Sequence, residues 1–215
     1  MKTILAYGDS LTFGSDPGGG PRHAHEDRWP TVLEQRLGGR GRVIAEGLGG
    51  RATAYDDWTS NADRNGARIL PTLLASHAPL DLVIIMLGTN DLKPFVAGSA
   101  AFAARGARRL IELTHGHFAM TGEGVPEIIL VSPPHVVETT NEIMISNFGT
   151  LEHLLRESKE FARHYRRHAA ESGVHFFDAS SVAQADPRDG VHLDAANTRA
   201  IGEGLVPLVT QVLGL

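Results

Sequence analysis

Leu82-Val83-Ile84-Ile85-Met86-Leu87 is an unbroken apolar run, closed by Gly88-Thr89-Asn90-Asp91. A strand with one face in water alternates apolar and polar residues. This run does not, so it reads as the core of a central parallel strand, Leu80 to Leu87, covered by helices on both faces. Working outward, four more short runs rich in Ile, Val, Leu or Phe read as strands: Thr3 to Tyr7, Arg42 to Ala45, Ile128 to Ser132 and His175 to Asp178. Between them lie helical patterns at Trp29 to Leu37, Asn65 to His77, Ser99 to Leu113, Leu151 to Ser172 and Ala195 to Leu213. Strand alternating with helix predicts an α/β fold, a three-layer α/β/α sandwich with a five-stranded parallel sheet, because each crossover must pack a helix back onto a sheet face. Ligands of such sheets bind beyond the carboxyl ends of the strands.

Three stretches read as loops: Ser15 to Asp27, Gly116 to Pro126 and Pro133 to Asn147. None shifts composition enough to mark a boundary, and 215 residues with 42% apolar content suit one domain spanning 1–215. A net charge of -5 gives no basic stripe for a phosphate backbone, so a small-molecule substrate is expected rather than nucleic acid. No cysteine is present, which excludes disulfides, thiol nucleophiles and thiolate metal sites. The apolar run after Met1-Lys2 is too short for a signal peptide or membrane span. The expected location is cytoplasmic.

Three segments carry chemistry. Gly8-Asp9-Ser10-Leu11 places a hydroxyl at the end of the first strand, although Gly, Asp and Ser are also ordinary turn and cap residues. In Asp189-Gly190-Val191-His192 a carboxylate precedes an imidazole by three residues across a glycine turn. It can accept from one ring nitrogen and leave the other to take a proton, as a serine nucleophile requires. An Asp-Gly turn beside a surface histidine is the plainer alternative. Asn90 can present an amide donor beside the strand ends, joining the N–H of Ser10 and one from Gly47-Leu48-Gly49-Gly50-Arg51 in an oxyanion hole. Equally, Asn90-Asp91 can cap the following segment. Asp194 reads as the N-cap of the last helix, which puts His192 just before it.

Together these blocks, Gly8-Asp9-Ser10-Leu11, Gly49-Gly50, Gly88-x-Asn90-Asp91 and Asp189-x-x-His192, resemble the GDSL, or SGNH, hydrolase family in order and spacing. The resemblance spans nearly the whole chain. It implies the flavodoxin-like SGNH sandwich, with Ser10 as nucleophile, His192 as base and Asp189 as its orienting acid. It also assigns the oxyanion donors to the Ser10 and Gly50 N–H groups and the Asn90 side chain, though Gly49-Gly50 leaves open which of those two amides donates. Arg28-Trp29-Pro30, Glu46-Gly47-Leu48, Val131-Ser132-Pro133-Pro134 and Phe176-Phe177-Asp178-Ala179 look like the bacterial arylesterase branch. That branch implies short-chain carboxylic ester hydrolysis through an acyl-serine, with possible acyl transfer to alcohols or peroxide, and a homo-oligomer, tetramer or octamer. No cofactor or metal is implied.

Rival readings are a carbohydrate acetylesterase on the same residues and a flavodoxin-like module in which Ser10 to Ser15 cradles a phosphate. His23, His25, Glu26 and Asp27 tempt a metal assignment but lack ligand spacing and are read as a solvated or interface loop. His115 and His117 are expected at a helix end. His153, His164 and His168 are expected on a solvated helix face with Arg163, Arg166 and Arg167. Asp9 and Asp91 are read as turn-orienting, since a carboxylate would repel a nearby oxyanion. Arg51, Trp58 and Phe95 are candidate pocket walls.

Overall fold

The computed structural model, which describes residues 1–215, puts the apolar run at the centre of one parallel sheet. Strands β1 (Lys2–Gly8), β2 (Gly41–Gly47), β3 (Leu82–Met86), β4 (Glu127–Ser132) and β5 (His175–Asp178) lie in the order β2-β1-β3-β4-β5, every neighbour parallel. β3 is two residues shorter at its start and one shorter at its end than the run suggests, because pairing with Ile4 and Glu127 begins at Leu82 and pairing with Gly8 and Val131 ends at Met86.

The doubly apolar pattern of β3 has a direct outcome. Leu82, Ile84 and Met86 pack with Trp29, Leu33, Ile201 and Leu205, whereas Val83, Ile85 and Leu87 pack with Leu70, Leu110 and Phe161. The first layer is α2 (Trp29–Arg36) with α7 (Ala195–Leu213), and the second is α3 (Gly66–His77), α4 (Ala100–Thr121) and α6 (Leu151–Ser172). Each such side chain, fully removed from water, contributes at most about 1.5–3 kcal/mol, so this strand is a major term in the stability of both layers.

Two helices differ from expectation. α4 does not stop at Leu113 but runs through His115, Gly116 and His117, because Thr114 and Phe118 extend its buried seam; it ends where Gly122 turns left-handed at φ 74°. His115 and His117 therefore lie within the helix. A six-residue helix, α5 (Glu142–Asn147), interrupts the expected 133–147 loop, started by Asn141, whose side chain accepts from Met144 N–H at 3.0 Å. The four-residue α1 (Ser10–Phe13) follows β1 directly. Asp194 caps α7 as expected, accepting from Asn197 N–H at 2.7 Å. No helix is long and apolar enough to cross a membrane.

After β1 the chain turns to one side of the sheet for β2 and crosses to the other for β3. The crevice between the ends of β1 and β3 is thus the switch point where ligands of such sheets bind.

Candidate active site

Ser10 and Asn90 flank that crevice. Ser10 is the first residue of α1, and Asp9 is its N-cap, with Oδ1 accepting from Leu11 N–H at 2.9 Å. The cap leaves the Ser10 N–H, the first of the helix, without an intrahelical acceptor. Asn90 sits in a short 3₁₀ turn (Thr89–Leu92) after β3. Its Nδ2 donates to the Arg51 carbonyl at 3.2 Å and lies 3.5 Å from Asp9 Oδ2, so one amide hydrogen is anchored and the other only loosely held.

His192 arrives from the far end of the chain. Its Nε2 lies 3.0 Å from Ser10 Oγ, and its Nδ1 lies 2.6 Å from Asp189 Oδ2. The other Asp189 oxygen accepts from the N–H groups of Val191 at 2.9 Å and His192 at 2.8 Å. The carboxylate thereby holds both ring and backbone of the histidine. Burial alone would raise the Asp189 pKa, but the His192 ring and these two amides outweigh it and hold the carboxyl below its ordinary range. Gly190 makes the turn possible: its φ is +80°, and a Cβ there would lie 2.7 Å from Thr139 Cγ2 and 2.8 Å from the Val137 carbonyl oxygen.

Gly49 and Gly50 complete the crevice, Gly50 with φ +81°. Neither glycine N–H finds an acceptor in the protein. Ser10, Gly49, Gly50, Asn90 and His192 line one cavity of about 310 Å³, with Met144, Phe148 and Val191 as its apolar walls. The structure therefore brings together all five residues that the four sequence blocks single out, Ser10, Gly50, Asn90, Asp189 and His192.

Other expectations need correction. Arg51 is no pocket wall; its guanidinium turns inward over the Tyr7 ring and donates to the carbonyls of Gly8 and Glu46. Trp58 and Phe95, at 85% and 52% exposure, face solvent outside the cavity. His168 is buried, unlike its exposed neighbours Arg166 and Arg167. His23 Nε2 lies 2.8 Å from the Leu193 carbonyl oxygen, while Asp27 pairs with Arg199, so the histidine-rich loop is used to brace the segment beside His192. A phosphate cradle at Ser10 is disfavoured because the buried Asp9 carboxylate already occupies that helix start. A second depression of about 320 Å³ has Asp56 and Asp63 paired with Arg68 at 2.8 and 2.7 Å and no histidine among its lining residues.

The sequence reading missed Met144, Phe148 and Lys93 as cavity residues. The signal for the first two was present: Asn141 followed by Glu142 and the apolar Ile143, Met144 and Ile145 is a capped helix start. Nothing local marks Lys93, whose ammonium reaches Asp57 Oδ2 at 3.4 Å across a tertiary contact.

The sequence pattern of the GDSL-like lipase/acylhydrolase family matches residues 6–200. The chain belongs to that family. It is a serine esterase, a carboxylic ester hydrolase on the SGNH sandwich. Among solved structures, a carbohydrate acetylesterase family member from Sinorhizobium meliloti is 52% identical, with TM-score 0.95 over 100% of both chains. The native M. smegmatis aryl esterase is 39% identical, with TM-score 0.91 over 99% of this chain and 100% of its own. A second S. meliloti carbohydrate acetylesterase is 34% identical, with TM-score 0.91 over 99% of this chain and 100% of its own. No curated protein matches the chain.

Proposed function

We propose that this family member hydrolyses short-chain carboxylic esters through an acyl-Ser10 intermediate. The observation that carries the reading is the Ser10–His192–Asp189 line, 3.0 Å and 2.6 Å. Neutral His192 takes the Ser10 proton as Oγ attacks the acyl carbonyl, and the carbonyl oxygen becomes an oxyanion facing the N–H groups of Ser10 and Gly50 and the loosely held Asn90 amide hydrogen. Imidazolium then gives the proton to the leaving alkoxide, releasing the alcohol. Water, activated by the same imidazole, attacks the acyl-serine; on breakdown of the second tetrahedral intermediate His192 returns the proton to Ser10 and the acid leaves. An alcohol or peroxide in place of water would give acyl transfer by the same steps. A short acyl group is supported by the cavity itself, in which only 3 of 12 lining residues are hydrophobic. A fluorophosphonate is expected to add to Ser10 of the native enzyme and not to Ser10→Ala, which also loses turnover while staying folded. Full activity in that variant overturns the reading.

A carbohydrate acetate is the second reading, and one feature favours it. His192 must protonate the leaving group, and on its side a cleft of about 520 Å³ is lined by Asp16, Gly18, Gly19, Asn141 and Arg188, with no Phe, Tyr or Trp. That lining suits a hydroxylated alcohol better than an aryl one. Comparing phenyl acetate with acetylated sugars decides between them, because both form the same acetyl-enzyme and kcat/KM reports the alcohol alone. The homo-oligomer implied by the resemblance belongs to the same proposal, with exposed Trp58 and Phe95 as candidate subunit contacts; sedimentation tests it.

A further inference from the structure

Asp91 is fully buried, next to Asn90, and takes no part in the steps above. Its carboxylate accepts from the backbone N–H of Thr53 at 3.0 and 3.2 Å and from the Thr53 hydroxyl. Thr53 is itself fully buried and lies three residues after Gly50. The neighbouring Asn90 amide bonds the carbonyl of Arg51 in the same segment. Two consecutive residues of the turn after β3 thus grip the 51–53 segment, one by its carbonyl and one by its amide and hydroxyl. α4 leaves space for this grip at Gly106, where a Cβ would lie 1.9 Å from Thr53 Oγ1. From the other side, Ala67 N–H donates to the Thr53 carbonyl at 2.9 Å and Gly66 N–H to that of Ala52 at 3.1 Å.

We propose that Asp91 is a positioning residue for the oxyanion hole: through Thr53 it sets the distance between the segment bearing the Gly50 amide and the turn bearing the Asn90 amide. Resting on the assignment of those donors, it adds the element that registers them. Donors must converge on one point before charge develops there, and a displacement of about 1 Å can cost about a hundredfold in rate. A bare carboxylate close to the oxyanion would oppose it; here both oxygens are turned to Thr53, and the charge is spent on its two donors. Burial, with the neighbouring Asp9, raises the Asp91 pKa to about 7 against the lowering pull of the Thr53 donors, so the buried carboxylate depends on these partners.

The test is a double-mutant cycle on p-nitrophenyl acetate. Thr53→Val keeps the shape and removes the hydroxyl donor; Asp91→Asn, which turns an amide donor toward Thr53, is the second variant should the first not fold. The expected result is a fall in kcat of about tenfold to a hundredfold with little change in KM, and Thr53→Ser restores most of the loss. In an Asn90→Ala background, where the hole is already broken, Thr53→Val costs clearly less than in wild type. Unchanged kcat in folded Thr53→Val and Asp91→Asn, or losses that simply multiply with that of Asn90→Ala, overturn the proposal. Wild-type kcat in Asn90→Ala alone instead removes the donor assignment, and the positioning role falls with it.

Discussion

The Nε2 of His192 lies 3.0 Å from the Oγ of Ser10, although 182 residues separate them in the chain. Parallel strand order brings this about: Ser10 leaves the end of β1 next to the centre of the sheet, and the segment after β5 must return over the same edge to start α7. Trp29 N–H, which donates to Thr198 Oγ1 at 3.2 Å, ties α2 to α7 and so holds the two ends of the pair in one frame.

Asp189→Asn tests the orienting half of that pair. The amide can present a donor to Nδ1 and so favour the wrong tautomer, and it cannot stabilise imidazolium; in a Ser-His-Asp triad such a change lowers kcat by about 10⁴. A loss of about that order in kcat for p-nitrophenyl acetate is expected, with KM less affected. Turnover equal to wild type would mean that another residue orients His192.

Asn90→Ala removes a donor whose second hydrogen is held only by the 3.5 Å contact to Asp9 Oδ2. The expected loss is about a hundredfold to a thousandfold in kcat, roughly 2.7–4 kcal/mol, if the amide meets charge that exists only in the transition state. Steady-state kinetics decide the point: a rise in KM with kcat intact would place Asn90 in ground-state binding instead.

Burial raises the Asp9 carboxyl to about 6, against the pull of Leu11 N–H, His192 and Arg51. Between about pH 4 and pH 6 the folded chain holds this proton more tightly than the unfolded one does. The resulting stability is therefore fully present below the unfolded carboxylate value of about 3.9 and is lost as pH rises through about 6. Asp9→Asn keeps an acceptor for Leu11 but does not titrate, so its urea midpoint should fall less, or rise more, than that of wild type between about pH 4 and pH 6.5. Identical pH dependence in the two proteins would show that Asp9 does not titrate in that window.

Chain length tests the cavity. With few apolar walls around Ser10, each added methylene gains little of the about 0.8 kcal/mol that full burial offers, so kcat/KM is expected to decline from acetate and butyrate to octanoate. p-Nitrophenyl esters below their micelle-forming concentrations give the series. A steady rise with length would reveal an acyl groove.

How much was legible follows from where each signal resides. The five strands and their all-parallel arrangement were readable because short apolar runs and their alternation with helices are local properties; β3 announced its two covered faces in Leu82 to Leu87 alone. Asp189 and His192 were readable as a candidate pair because a three-residue spacing across Gly190 permits contact and the other blocks of the resemblance accompany it; the fold brings Nδ1 to 2.6 Å from Oδ2. α4 overran its expected end and α5 went unseen for a related reason: Gly116 and the Gly- and Pro-containing surroundings are local breaking signals that the buried Phe118 seam and the Asn141 cap override.

Amino-acid order by itself pointed to the fold class and the strands, through periodicity, and to Ser10, Asn90, Asp189 and His192 as candidate site residues, through four blocks whose order and spacing resemble a known family. Only the tertiary structure decided that Arg51 turns inward to the carbonyls of Gly8 and Glu46 instead of facing substrate, that Lys93 and Phe148 line the cavity, and that Asp91 grips Thr53. Those contacts join residues far apart in sequence, 38 positions for Asp91 and Thr53. No local propensity encodes them; they exist because helices pack on a twisted sheet and buried polar groups must find partners wherever that packing puts them.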